Sequence, residues 1–96
     1  MMNRLQYLLQ VLQEECDETS QRASKASRFT LEEIQHGQNH TNAERLVYEF
    51  NDLFAVMEML HDEGYISKII DRDAIKKKKK KIEFFIEYSR KLGTVS

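Results

Sequence analysis

The sequence predicts an all-α protein, and three observations carry that prediction. The 96-residue chain has no proline and only three glycines, whereas many-turned β architectures depend on chain-breaking residues. Apolar residues recur at spacings of three and four over three long segments, and nowhere do they alternate as in a strand. Gly37, Gly64 and Gly93 each follow a helical pattern, where a helix C-terminus favours glycine. The 11.4 kDa chain has room for one domain, 1–96, and no internal repeat divides it.

The first element is a long helix from about Asn3 to Arg28. A short helix from about Leu31 to Gln35 is expected next, because Thr30 and Glu33 have capping-box spacing. Thr41 and Glu44 repeat that signature ahead of a second long helix, from about Asn42 to Asp62. The last helix runs from about Arg72 to Leu92, with Asp71 or Asp73 as its cap. The expected architecture is an antiparallel helical hairpin plus a C-terminal helix. The 42–62 helix is apolar over most of its circumference, so the expected chain completes a four-helix-type bundle by oligomerising.

Helix faces locate the candidate core. Leu5, Leu8, Leu9, Leu12 and Cys16 form one stripe of the first helix, continued by Ala23 and Ala26. Cys16 is therefore expected as a buried small hydrophobe. A second stripe of Tyr7, Val11, Glu15, Glu18, Arg22, Lys25 and Phe29 is apolar at its ends and charged in its middle. On the 42–62 helix, Glu49 points between Leu53 and Val56, and Asp52 points near Val56 and Met59.

Composition excludes several classes. Hydrophobic residues at 41% and charged residues at 32% describe a globular chain. No apolar run approaches the ~20 residues of a membrane span, and no signal-peptide pattern opens the chain. One cysteine cannot form an internal disulfide framework or a multi-cysteine zinc site. A cytoplasmic protein without a membrane partner is expected. Charge is unevenly laid out: residues 1–66 hold twelve acids against five bases, and residues 67–96 hold four against ten. Complementary fields, or an acidic site beside a basic patch, follow from that division.

The acids pair at i, i+3 as Glu14/Asp17, Glu15/Glu18 and Glu49/Asp52. So acid-rich a chain produces a few such pairs by chance, so spacing alone carries nothing. Glu15/Glu18 and Glu49/Asp52 differ in flanking apolar stripes, and each pair shares one helix face. Packed together, the two helices would aim four carboxylates at one point, an arrangement suited to hard divalent cations, most simply Mg²⁺. Arg22, Lys25 and Arg28 follow along the same helix, as phosphate oxygens beside such a cation would require. The plainer alternatives are surface acids with Glu18 bridging to Arg22, and ion pairs from Glu49/Asp52 to the last helix. Lys76–Lys81 reads as a solvated helix surface or a phosphate-attracting rim, since it lacks the aromatic interleaving of a single-strand platform. His36, His40 and His61 are not spaced as a ligand pair, and loop or surface places are expected for them.

Glu14-Glu15-Cys16-Asp17-Glu18, followed by Glu49-Phe50-Asn51-Asp52, resembles the EExxE…ExxD signature of MazG-like all-α nucleoside triphosphate pyrophosphohydrolases. Ala23-Ser24-Lys25-Ala26-Ser27-Arg28-Phe29 is similar to that family's ASKALRFG-type stretch, and Thr41–Leu46 to its lead into the second motif helix. The tail from Lys81 to Thr94 resembles the closing helix of small, often phage-encoded members. Ser27 and Thr30 stand where members often have Leu and Gly, and the gap between the motifs is at the long end.

The resemblance implies Mg²⁺-dependent hydrolysis, with Mn²⁺ as a possible substitute, of an NTP or dNTP to the monophosphate and pyrophosphate. It makes Glu15, Glu18, Glu49 and Asp52 the metal ligands and Glu14 a water-positioning group. Lys25 and Arg28 become phosphate contacts, beside Arg22. It also implies a dimer or tetramer. The competing expectation is a non-enzymatic helical interaction or nucleic-acid-associated module that uses Lys76–Lys81; the enzyme reading has no specific nucleic-acid partner.

Overall fold

The computed structural model describes residues 1–96, which form three helices and no strand. They are α1 (Arg4–Phe29), α2 (Asn42–Asp62) and α3 (Arg72–Leu92). Each start has a side-chain cap. Asn3 and Gln6 form a capping box before α1, as Thr41 and Glu44 do before α2. The Asp71 carboxylate accepts from the amides of Asp73 and Ala74 before α3, and Gly93 closes that helix in the left-handed conformation, φ +80°. No helix is long and apolar enough to cross a membrane.

The α1 and α2 helices pack as an antiparallel hairpin. At its open end the Arg4 guanidinium forks onto the Glu63 carboxylate, at 2.7 and 3.1 Å. At its closed end the Asn42 amide donates to the Thr30 carbonyl at 2.8 Å. The apolar core sits toward the open end, where Leu8, Val56 and Leu60 are buried and Leu5, Leu12, Met57 and Ile66 pack around them. Polar side chains occupy the middle of the same interface: Glu15 and Glu49 are half-buried and Arg22 is buried.

Two expectations are corrected. The helix over Leu31–Gln35 does not form; residues 30–41 contain only turns and irregular backbone. Thr30 cannot act as its N-cap, because it takes φ 78°, ψ 160° instead of the extended cap conformation. Groups that would open that helix serve α2 instead. The Glu33 and Leu31 carbonyls accept from the amides of Asn42 and Ala43, each at 2.9 Å, satisfying two of α2's otherwise unpaired N-terminal donors.

Cys16 is exposed, not buried. The face that α1 turns toward α2 is rotated roughly 60° from the most apolar stripe, so that Leu8, Glu15, Thr19, Arg22 and Ala26 point inward or flank the interface. Leu9, Cys16 and Ala23 are left outside.

The α3 helix packs against neither α1 nor α2. All six residues of Lys76–Lys81 are exposed, as are His36, His40 and His61.

Candidate metal centre

Antiparallel packing brings the first half of each helix pair's acids to the same level. Glu15 and Glu18 lie one turn apart on α1, and Glu49 enters from α2; one carboxylate oxygen of each lies within 4.8 Å of the others. Glu15 is held at mid-helix, where the Thr19 hydroxyl donates to its carbonyl at 2.8 Å. Glu49 projects from the arc that also carries Val56 and Leu60, so the packing that buries those apolar residues draws the carboxylate inward with them.

The electrostatics show the cost. The Glu49 carboxyl titrates above its usual range, first because burial disfavours the charged form. A hydrogen bond with Glu18 and the charges of Glu18 and Asp52 push the same way, while Arg22 opposes them. Glu15 is raised as well, by burial and then by Glu18, Asp52, Glu49 and Glu14 in falling order.

The hydrogen-bond inventory carries the strongest signal. Glu15 Oε2 and Glu49 Oε2 are shut off from solvent with no hydrogen-bond partner, and so are Nε and Nη1 of Arg22. Arg22 is only 8% exposed, yet it forms no ion pair with either carboxylate or with Glu18. Unpartnered carboxylate oxygens call for a cation, and unpartnered guanidinium nitrogens call for an anionic oxygen. A divalent cation carrying a phosphate would meet both needs at one place. The donor set, three carboxylates with no sulfur or imidazole, suits Mg²⁺ or Mn²⁺.

The other expected site residues fall in three places. Asp52 is exposed and outside the close carboxylate group, although its charge reaches both Glu15 and Glu49. Glu14 is exposed and contributes the weakest push on Glu15. Lys25 is half-buried one turn past Arg22, whereas Arg28 is exposed at the helix end with its guanidinium over the Phe29 ring at 4.7 Å. The plainer alternatives do not form: Glu18 makes no bridge to Arg22, and Glu49 and Asp52 make none to α3.

One residue beside the site escaped sequence reasoning. Asn42 is 0% exposed, and its amide ties the Thr30 carbonyl to the Glu33 carboxylate. Its signal was its place directly after the Thr41 cap, where a polar side chain can reach back across the loop. The chain has no significant match among protein-family models, curated proteins or solved structures.

Proposed function

We propose that this chain hydrolyses a nucleoside triphosphate, NTP or dNTP, to the monophosphate and pyrophosphate with Mg²⁺. The observation that carries the metal and phosphate part is the set of solvent-shut atoms without partners, anionic on Glu15 and Glu49 and cationic on Arg22. The choice of reaction rests on the resemblance of Glu14–Glu18, Ala23–Phe29 and Glu49–Asp52 to the MazG-like signature.

Glu15, Glu18 and Glu49 would hold the cation, with Asp52 as the fourth carboxylate at the rim. When bound, Mg²⁺ supplies charge neutralisation at phosphoryl oxygens and lowers the pKa of a bound water. Arg22, already desolvated, presents two N–H donors to a phosphate oxygen without paying a further burial cost. Lys25 extends that cationic edge along α1, and Arg28 marks its solvent end. Glu14 takes its water-positioning role from the resemblance only. The active assembly is a homo-oligomer, dimer or tetramer.

The test is product identity from a panel of NTPs and dNTPs with Mg²⁺. Pyrophosphate is the expected first product, Glu49→Gln lowers turnover by at least about 100-fold, and Asp17→Asn stays within about twofold. Asp17 lies on the side of α1 opposite Leu8 and Glu15, which makes it a fair control. Equal activity in the two variants, or orthophosphate released first, overturns the proposal. The six exposed lysines of α3 keep one rival in view, a nucleic-acid-associated module. It predicts salt-steep nucleic-acid binding and no Mg²⁺-dependent turnover.

A further inference from the structure

A single copy of this chain is expanded for its mass. Its radius of gyration is 16.8 Å, against about 12.5 Å for a compact domain of this length. Its accessible surface is 7847 Å², against about 5,800 Å² for a compact 11.4 kDa protein. The excess is about 2,000 Å² per chain, or about 4,000 Å² for two copies, within the range that an obligate homodimer hides.

Part of that surface lies on two unpartnered apolar faces with oppositely charged borders. Ile82, Phe85 and Ile86 of α3 line a shallow groove together with Val95 from the segment after the helix, with Lys78 and Lys81 at its edge. On α2, Val47 and Phe50 are exposed beside Phe54, whose ring lies 6.0 Å from that of Phe50. This second face lies roughly 90–120° around α2 from the arc that meets α1. Glu58 and Asp62, both exposed, run along its edge. One face is therefore apolar with a basic border, and the other is apolar with an acidic border.

We propose that α3 is an exchanged arm: in a two-fold dimer, the α3 groove of each copy covers the Val47/Phe50/Phe54 face of the other. The charges of the whole chain agree. The α1–α2 segment is strongly acidic and the α3 segment strongly basic, and they do not pack together within one chain. A reciprocal exchange joins them twice and hides both apolar faces. The inference is independent of the metal-centre reading.

An anionic lipid surface fits these observations less well than a second copy. An interfacial helix that binds anionic lipid presents a polar face rich in Lys and Arg. Here Glu83 and Glu87 share that face with Lys76, Lys77 and Lys80, and Asp73 stands beside those lysines. The acidic α1–α2 hairpin would also be repelled by such a surface.

The experiment is light scattering of the full chain at micromolar concentration, without metal or nucleotide. Wild type is expected at twice its 11.4 kDa chain mass. Phe85→Glu is expected to raise the dissociation constant by at least about 100-fold, since the ring is lost from both symmetric contacts. Phe85 touches no part of the α1–α2 hairpin, so circular dichroism should stay helical.

A charge exchange confines the test to this one pairing. Lys78→Glu/Lys81→Glu and Glu58→Lys/Asp62→Lys should each weaken self-association, and a mixture of the two should form heterodimers. In the mixed pair both α3–α2 contacts regain opposite charges; in either homodimer both are repulsive. A wild-type monomer overturns the proposal. So does a dimer indifferent to Phe85→Glu, or a mixture that gains nothing over its parts. Flotation of a monomeric chain with phosphatidylserine vesicles would assign α3 to a lipid surface and overturn it as well.

Discussion

Replacing Glu49 by Gln should stabilise the metal-free protein, although it removes a charged group from a half-buried site. The carboxylate oxygens of Glu15, Glu18 and Glu49 approach within 4.8 Å of one another. At that distance two unit charges repel by about 1 kcal/mol in a water-like dielectric and about 3.5 kcal/mol at an effective dielectric of 20. Glu49 faces two such partners, so the unrelaxed repulsion is a few kcal/mol. Two effects reduce it. Protonation offers relief whenever repulsion exceeds the cost of binding a proton, about 4 kcal/mol at pH 7.5 for a carboxyl of pKa 4.5. Arg22 also attracts Glu49, and that attraction is lost in the variant. A net gain of about 1–2 kcal/mol remains, which for a domain of this size is a rise in Tm of about 4–16 °C. The assay is thermal unfolding by circular dichroism in EDTA at pH 7.5, at fixed protein concentration because association also shifts Tm. Saturating Mg²⁺ should then raise wild type by about 2–3 kcal/mol at a hundredfold excess over its Kd. The variant, with one ligand charge fewer, should gain much less. A variant less stable than wild type in EDTA would refute the crowded-carboxylate argument. An equal rise for both in Mg²⁺ would refute the role of Glu49 as a ligand.

Other outcomes follow from the same geometry. Glu15 and Glu49 have raised folded-state pKa values, so between 4.5 and those raised values the native state binds more protons than the unfolded chain. The metal-free protein should therefore lose stability as pH rises through that window. Thermal unfolding followed across a pH series from 4.5 upward should show the loss, and Mg²⁺ should diminish it. Glu44 and Glu63 are shifted down by their hydrogen bonds to Thr41 and Arg4, so their contribution is lost in the opposite direction, as pH falls below 4.5. Thr30→Gly should raise stability by about 1 kcal/mol, because φ 78°, ψ 160° is strained for a residue with a Cβ and open to glycine. Chemical denaturation measures this as a higher midpoint at unchanged slope. Asn42→Ala should cost about 1–3 kcal/mol by the same measurement, since it removes a fully buried side chain and its part-buried 2.8 Å hydrogen bond to the Thr30 carbonyl.

Most of the fold was legible because its signals are local. Helix limits follow capping chemistry: Thr41 with Glu44 and the Asp71 cap lie where the sequence indicates. The Thr30/Glu33 signature has the same spacing yet starts no helix, because α2's first amides compete for the carbonyls beyond it. That competition is tertiary, and a local spacing cannot register it. The burial of Cys16 was misjudged for a related reason. Hydrophobicity alone centres the inward face of α1 on its leucines, whereas α2 meets it at the level of Glu15 and Arg22. A leucine stripe predicts the packing direction only where the whole interface is apolar; here the apolar part is confined to the open end of the hairpin.

The candidate centre itself comes down to helical phase. Three acid pairs share the i, i+3 spacing, and spacing does not distinguish them. Glu14 lies one residue before Glu15 and Asp17 one before Glu18, so that pair is turned roughly 100° away. It remains exposed and joins no cluster. Glu15 lies two turns beyond Leu8, and Glu49 two turns before Val56, and both apolar residues are buried in the core. A seven-residue step returns nearly to the same face, so the contacts that build the core also drive these carboxylates inward. The fold therefore pays for its core with a polar defect, and Arg22, buried beside it without a partner, adds the opposite charge but does not close the account. The core supplies the force that holds like charges together. It supplies no partner for these atoms; in the proposed reading a cation and an anionic oxygen do so. That is why Glu49→Gln separates the two roles: it should relieve the defect in the metal-free protein and remove one of the carboxylates proposed to hold the cation.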